Sequence, residues 1–448
     1  MKTLKASYIA ELSGGELCGG DAEISAIVRD NREISGGELF VAISGEHFDG
    51  HDFAASAEEN GAAALLVSRY VDGVKIPQII VPDTVSALGK IAGGYLETLS
   101  ARRVCVTGSV GKTTTKEMCA AVLSESFKTH KTAGNFNNNI GLPLTVFGMD
   151  DETEAAVLEL GTNHFGEILP LTMIAKPHAA VITVIGESHL EAFGSKEGVL
   201  REKTEILKGL SDDGYAILNG DDPYLWGIRE SLSHKALWFG LENDKCDIFA
   251  EIIENSAMHS HFSVRGFKCE FELACGGVHN IRDALAAVAC GKVFGMDDES
   301  IARGLLRFRN TGMRQDVFEF EGRTIIRDCY NANPDSMRAS ISLLSGFETK
   351  GKKICVLGDM LELGENAHEL HRRIGEFAAE IADAVLVTGD FSDDYKSGAG
   401  DSTSVFGDKK ALADHLASYA EEGDVILVKG SYGTKMWQVI EYLMGERK

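Results

Sequence analysis

Paired cysteines, long apolar runs, proline and positive charge are what this chain has little of. None of its nine cysteines stands in a C-x-x-C pair, and nine is odd. Reduced thiols in a cytoplasm are therefore expected rather than a disulfide scaffold. No stretch approaches the apolar length that spans a bilayer. MKTLKASYIAELSGGEL carries no long apolar run, so no secretion signal is expected and the location reads as cytoplasmic. With seven prolines and no low-complexity tract, any linkers must be short. Against 68 Asp+Glu there are only 44 Lys+Arg, a net charge of −24. That argues against a generic nucleic-acid or anionic-membrane surface, but not against one nucleotide held locally. The base-specifying Asn-Lys-x-Asp of a GTP switch is absent, and no Gly-x-Gly-x-x-Gly opens the C-terminal third. A dinucleotide cofactor is not indicated.

What is present is ordinary globular composition, 44% apolar and 25% charged over 448 residues. That length corresponds to roughly three domains. The pattern predicts an α/β chain of three units, 1–98, 99–312 and 313–448. The first is a small α/β unit. The second carries a P-loop on a parallel sheet. The third alternates strand and helix from RTIIRDC to TKMWQVIEYLMGE, which predicts a Rossmann-like parallel sheet with helices on both faces. Residues 84–99 read as a helix connecting the first two units.

The centre of gravity is VCVTGSVGKTTTKEM, residues 104–118. An apolar strand leads into a turn of small residues, Thr107, Gly108, Ser109, Val110 and Gly111. Lys112, Thr113 and Thr114 then open a helix. Glycines let backbone N–H groups approach phosphate oxygens, and the helix end adds unpaired donors and a favourable field. Lys112 suits β/γ-phosphate charge and the Thr113 hydroxyl suits Mg²⁺. The spacing is the short T-G-x-x-G-K-T form, with Val106 where the longer pattern wants glycine.

Other candidates follow in order. Residues 45–53, GEHFDGHDF, read first as a polar turn. The asparagines at 135, 137, 138 and 139 are either turn material or contacts to base or ribose. Glu159 ends an apolar strand, where it could ligate Mg²⁺ or cap a helix. His189 follows a second such strand. Lys203 falls on an amphipathic helix, 197–210, as a solvated residue by periodicity. Asn280 could cap its helix or touch the base.

Seven motifs in order, TGSVGKTTT, GNFNNNIGLPLT, LELGTNHFGEI, GESHLEAFGS, HNIRDALAA, GMR and DCYNANPDSM, resemble the Mur ligase superfamily over essentially the whole chain. The resemblance implies an ADP-forming amide ligase. ATP would phosphorylate the terminal carboxylate of a UDP-muramoyl-tripeptide, and D-alanyl-D-alanine would attack the acyl phosphate. It implies that residues 107–114 hold phosphate, with Lys112 on the β/γ oxygens. It places Thr113 and Glu159 on one Mg²⁺ and His189 on a second, beside a carbamylated Lys203. Asn139 and Asn280 would contact adenine, and Arg314 and Asp328 the phosphates and ribose. Asp30, Asn31, Arg32, His47, Asp49, Gly50 and His51 would belong to the UDP-sugar side. A monomer working in peptidoglycan synthesis, with no nucleic-acid partner and no membrane insertion, is expected. The alternatives are the meso-diaminopimelate-adding or another amino-acid-adding member and, in a different class, a P-loop NTPase switch. Three positions depart from the family pattern: Asn31 in place of Ser, Val184 in place of Asn, and Tyr432 in place of Arg. Lys435 is the cation expected to compensate for the last.

Overall fold

The computed structural model describes residues 1–45, 47–310 and 312–446. It contains three principal sheets.

The N-terminal sheet runs in the order Glu16–Cys18, Gln78–Ile80, Ala64–Val67, Glu38–Val41, Ala26–Val28. All but the first strand are parallel. The first helix, Ala6–Ser13, stops where expected, at Gly14 in the left-handed region with φ 71°.

The central sheet has nine strands. Its parallel part is ordered Thr129–Lys131, Ala155–Glu159, Arg102–Thr107, Ala179–Ile182, Tyr215–Asn219, Lys235–Gly240, then Ile248–Asn255. An antiparallel extension, Ser260–Val264 and Glu270–Leu273, follows. The P-loop strand Arg102–Thr107 is therefore flanked by a strand that precedes its other neighbour in sequence. Strand order reverses there, and ligands bind beyond the carboxyl ends at such a point.

The C-terminal sheet places Thr403–Phe406, Ala384–Thr388, Lys353–Leu357, Val425–Lys429 and Arg323–Asp328 in parallel, with Asp316–Phe320 antiparallel at the edge. Buried apolar side chains cover both of its faces, as expected for a parallel sheet.

The helix Thr84–Glu97 is more than a connection. Asp83 caps it by accepting the Ser86 N–H at 2.8 Å. Its buried face joins Ile9, Leu39 and Leu66 of the N-terminal domain to Leu142, Leu158 and Leu171 of the central domain in one core. The Tyr95 hydroxyl pins the packing by donating to the Met149 carbonyl at 2.7 Å.

Candidate active site

The short P-loop form is explained by what presses on it. Gly108 (φ 149°) and Gly111 (φ 83°) have backbone that L side chains rarely adopt. A Cβ on Gly108 would fall 2.0 Å from Thr183 Oγ1, and one on Gly111 would fall 2.5 Å from Asp283 Oδ1. The loop is wedged between the end of one strand and the start of the helix Val278–Val293. Ser109 ties it down further, donating its N–H to the Val184 carbonyl at 2.9 Å and accepting the Gly186 N–H at 2.9 Å. The contact made by position 184 is through its carbonyl, which valine supplies as well as asparagine would, and Val184 also lines the cleft.

Lys112 opens the helix Lys112–Leu123 and curls over the loop, donating to the Gly108 carbonyl at 2.9 Å. Burial holds its ammonium below the ordinary lysine range, and Arg314 adds to that while Glu159 opposes it. Thr113 Oγ1 donates to Glu159 Oε2 at 2.9 Å, and Asn137 Nδ2 donates to Glu159 Oε1 at 2.9 Å. Both oxygens of a buried strand-end carboxylate are thus oriented. Lys116 lies buried behind it, 3.9 Å from Oε2, and donates to the Thr132 carbonyl at 2.8 Å. Thr132 Oγ1 in turn accepts the Glu159 N–H.

These groups open on one cleft of about 690 Å³. It gathers Ser109 to Thr114, Asn139, Glu159, His189, Asn280, Arg314 and Asp328 from the sequence-derived set. Asn139 is exposed on the rim. Asn280 is buried and donates to the Gly276 carbonyl at 2.7 Å and to Gln315 Oε1 at 2.8 Å. Asp328 reaches the cleft from the C-terminal sheet. Burial works against its charge, but Lys429 at 2.7 Å keeps its pKa below the ordinary value. Thr107 and Gly108 lie beneath the loop, not on its surface; the Thr107 hydroxyl donates to the Leu160 carbonyl.

His189 has left-handed backbone (φ 53°) and places Nδ1 2.5 Å from Glu362 Oε2 of the C-terminal domain. Burial and Lys112 lower its pKa, with Glu362 opposing. Asp335 makes a second clasp, accepting the Glu187 N–H at 2.9 Å.

Lys203 corrects the periodicity expectation of a solvated residue. On the helix Lys196–Thr204 it is 0% exposed, and Nζ has no hydrogen-bond partner. Its neighbour Glu202 is spent on capping the helix Ile168–Ala175, accepting the N–H groups of Gly166, Glu167 and Ile168. Burial and Lys112 push the Lys203 pKa well below the lysine value.

The UDP-sugar candidates do not line this cleft; they cluster around the helix Ala54–Glu59 of the N-terminal domain. Asp30 grips Arg32, and Asn31 donates to Ser56 Oγ at 3.0 Å. The 45–53 segment is more than a polar turn. Asp49 caps the short helix Gly50–Phe53, and His51 is buried between Asp49 Oδ1 (2.6 Å) and the Ser68 N–H (2.9 Å). His47 is exposed, and Glu46 lies outside the described residues.

Sequence reasoning missed Asp283, Asp335 and the buried Lys116. For Asp283 a signal existed: it stands one turn beyond His279 and Asn280, on the same helix face. The clasps had none, because they join distant segments.

A phosphate loop, an oriented carboxylate and a shared cleft that brings Lys112 of one α/β domain to Arg314 of another define an ATP-dependent ligase. Residues 106–291 match the Mur ligase middle domain, 313–432 the Mur ligase glutamate ligase domain and 23–95 the Mur ligase family catalytic domain. The chain belongs to the Mur ligase family. It is 41% identical to the UDP-N-acetylmuramoyl-tripeptide–D-alanyl-D-alanine ligase of Bacillus subtilis, covering 97% of each chain. The crystal structure of MurF from Acinetobacter baumannii superposes with a TM-score of 0.93 at 33% identity, covering 99% of each chain. MurF ligase from Thermotoga maritima in complex with ADP gives 0.84 at 30%, covering 94% of this chain and 97% of that one.

Proposed function

We propose that this chain joins D-alanyl-D-alanine to the free carboxylate of UDP-N-acetylmuramoyl-tripeptide, as its full-length relatives are named for doing. The observation that carries the reading is the single cleft in which the P-loop of one domain faces Arg314 and Asp328 of another. We assign the units 1–98, 99–312 and 313–448 to UDP-sugar, ATP and closing ligase roles.

The γ-phosphoryl group would pass from ATP to the peptide carboxylate, releasing ADP and leaving an acyl phosphate. Attack by the dipeptide amine would form the amide and expel phosphate, and the amine would lose a proton. Triphosphate and carboxylate repel each other, so the residues must neutralise charge as it moves. Loop N–H groups and Lys112 would hold the β/γ oxygens, and Arg314 would meet the terminal phosphate from the other side. Asn139 and Asn280 would fix the base, and Asp328 the ribose. Domain closure through His189–Glu362 and Glu187–Asp335 would keep water from the acyl phosphate.

Thr113 Oγ1 and Glu159 present hard oxygens at one point and His189 a ring nitrogen, a donor set that fits Mg²⁺. Two bound ions would supply charge neutralisation at the transferring phosphoryl group. The partnerless Lys203 amine fits conversion by CO₂, R–NH₂ + CO₂ → R–NH–CO₂⁻ + H⁺, which replaces an orphaned cation with acceptor oxygens. We expect the chain to act as a monomer. No helix among the described residues is long and apolar enough to cross a membrane, and we assign the chain to the cytoplasm.

The test is phosphate release with each substrate omitted in turn. Turnover is expected only with the tripeptide nucleotide, D-alanyl-D-alanine and ATP together. Strong turnover with UDP-muramoyl-dipeptide and diaminopimelate instead would reassign the chain within its family.

A further inference from the structure

In a cleft suited to anions, one guanidinium rests on a ring instead of a carboxylate. Arg314 Cζ lies 3.7 Å from the Tyr330 ring centroid and makes no ion pair among the described residues. Tilted ring contacts continue behind it. Tyr330 is 6.0 Å from Tyr432, and Tyr432 is 4.8 Å from Trp437, at interplanar angles of 54° and 40°. The backbone explains the juxtaposition. Tyr330 follows the strand Arg323–Asp328, Tyr432 and Trp437 follow Val425–Lys429, and these strands are paired neighbours. Tyr330 also donates its N–H to the Met313 carbonyl, which fixes the approach of the segment that carries Arg314. The middle ring is the anomaly. Tyr432 is 56% exposed, far more than a packing role requires.

We propose that Arg314, Tyr330, Tyr432 and Trp437 form one column of a cation on a ring backed by two tilted rings, in which Tyr432 is a positioning residue that sets Tyr330 and so aims the Arg314 guanidinium at the terminal phosphate of the nucleotide. The inference rests on the reading of Arg314 as a phosphate contact. Its physical logic is that a ring face holds a cation without neutralising it. A carboxylate partner would have to be given up when phosphate arrives, whereas a planar guanidinium can keep its face on the ring while its edge N–H groups donate to oxygen. An aromatic side chain at 432 is thus suited to supporting a cation, not to replacing one.

The experiment is calorimetric titration of the full chain with ADP and with a non-hydrolysable ATP analogue, for wild type, Tyr432→Phe, Tyr432→Leu, Arg314→Ala and the Arg314→Ala/Tyr432→Leu pair. Tyr432→Leu is expected to weaken the triphosphate about tenfold while leaving ADP nearly unchanged, in line with loss of a cation–ring support. Tyr432→Phe keeps the ring and should bind as wild type. In the Arg314→Ala background, Tyr432→Leu should add nothing. If Arg314→Ala leaves triphosphate affinity intact, the phosphate role of Arg314 fails and the column with it. If Arg314→Ala weakens the triphosphate but Tyr432→Leu does not, the column alone fails. Equal losses for ADP and triphosphate, or a raised dipeptide KM with unchanged triphosphate affinity, would also overturn it, the latter by assigning Tyr432 to the amine substrate.

Discussion

The Thr113 hydroxyl donates to Glu159 Oε2 at 2.9 Å, joining the first turn of the loop helix to the end of the adjacent strand. Oxygens from two elements meet at one point, already oriented by Asn137 on the far oxygen. Glu159→Gln keeps the shape and removes the charge. We expect ligase turnover to fall about a hundredfold or more and half-maximal activity to need more Mg²⁺, as for loss of a preorganised charge at a phosphoryl-transfer site. A Mg²⁺ titration at saturating ATP checks both, with a thermal melt to confirm folding.

Lys203 separates stability from function. A buried amine without a partner costs the fold, so Lys203→Met should be more stable than wild type by about 1–4 kcal/mol in CO₂-stripped buffer. The same variant should be inactive. Lys203→Ala should also be inactive but regain part of its turnover with short carboxylic acids. Full activity without rescue would remove the residue from the mechanism.

Asp283 gives a pH signature. Desolvation pushes its carboxyl up to about 7, and Arg282, the cation beside it, is engaged by Asp221 at 3.2 Å and Glu242 at 3.1 Å. The folded-state value exceeds the ordinary 3.8, so stability falls as pH rises from there to about 7 and is level above. Ionisation also adds a negative charge against Gly111, where polyphosphate must bind. The KM for ATP should rise as pH passes through 7, and Asp283→Asn should flatten that rise. An unchanged profile in the variant would acquit the carboxyl.

Asp335 tests closure. Asp335→Ala frees the Glu187 N–H and leaves the His189–Glu362 pair and the Asn280–Gln315 bond. We expect kcat/KM to drop about tenfold, the scale of a lost charged hydrogen bond, with little change in melting temperature. Small-angle scattering with nucleotide and peptide bound should show a larger radius than wild type.

The parts of the fold written locally were legible: the strand–loop–helix at 104–118, the helix stop at Gly14 and the strand–helix alternation after 313. The antiparallel strands Ser260–Val264 and Glu270–Leu273 were also legible in principle, because Phe262 and Val264, then Phe271 and Leu273, are buried at alternate positions, but sequence reasoning missed that period-two signal; Ile248–Asn255, with its exposed Ile252 and Ile253, lacks it. Thr113 was read from the loop motif at the start of its helix and Glu159 from the end of its strand. Lys203 was misplaced by periodicity, which reports a helix face but not what covers it. Asn137 and Asp335 act on distant segments, and no local pattern encodes those partners.

The helix Thr84–Glu97 has a mechanical consequence. Its core is shared by the N-terminal and central sheets, whereas the C-terminal sheet carries cores of its own. If the nucleotide-sugar is anchored on the N-terminal sheet, its distance from the P-loop is set by rigid packing. The peptide stem must then bridge a fixed gauge. A stem one residue short would leave its carboxylate out of the γ-phosphate's reach, so the enzyme would sort acceptors by length before any side chain is inspected.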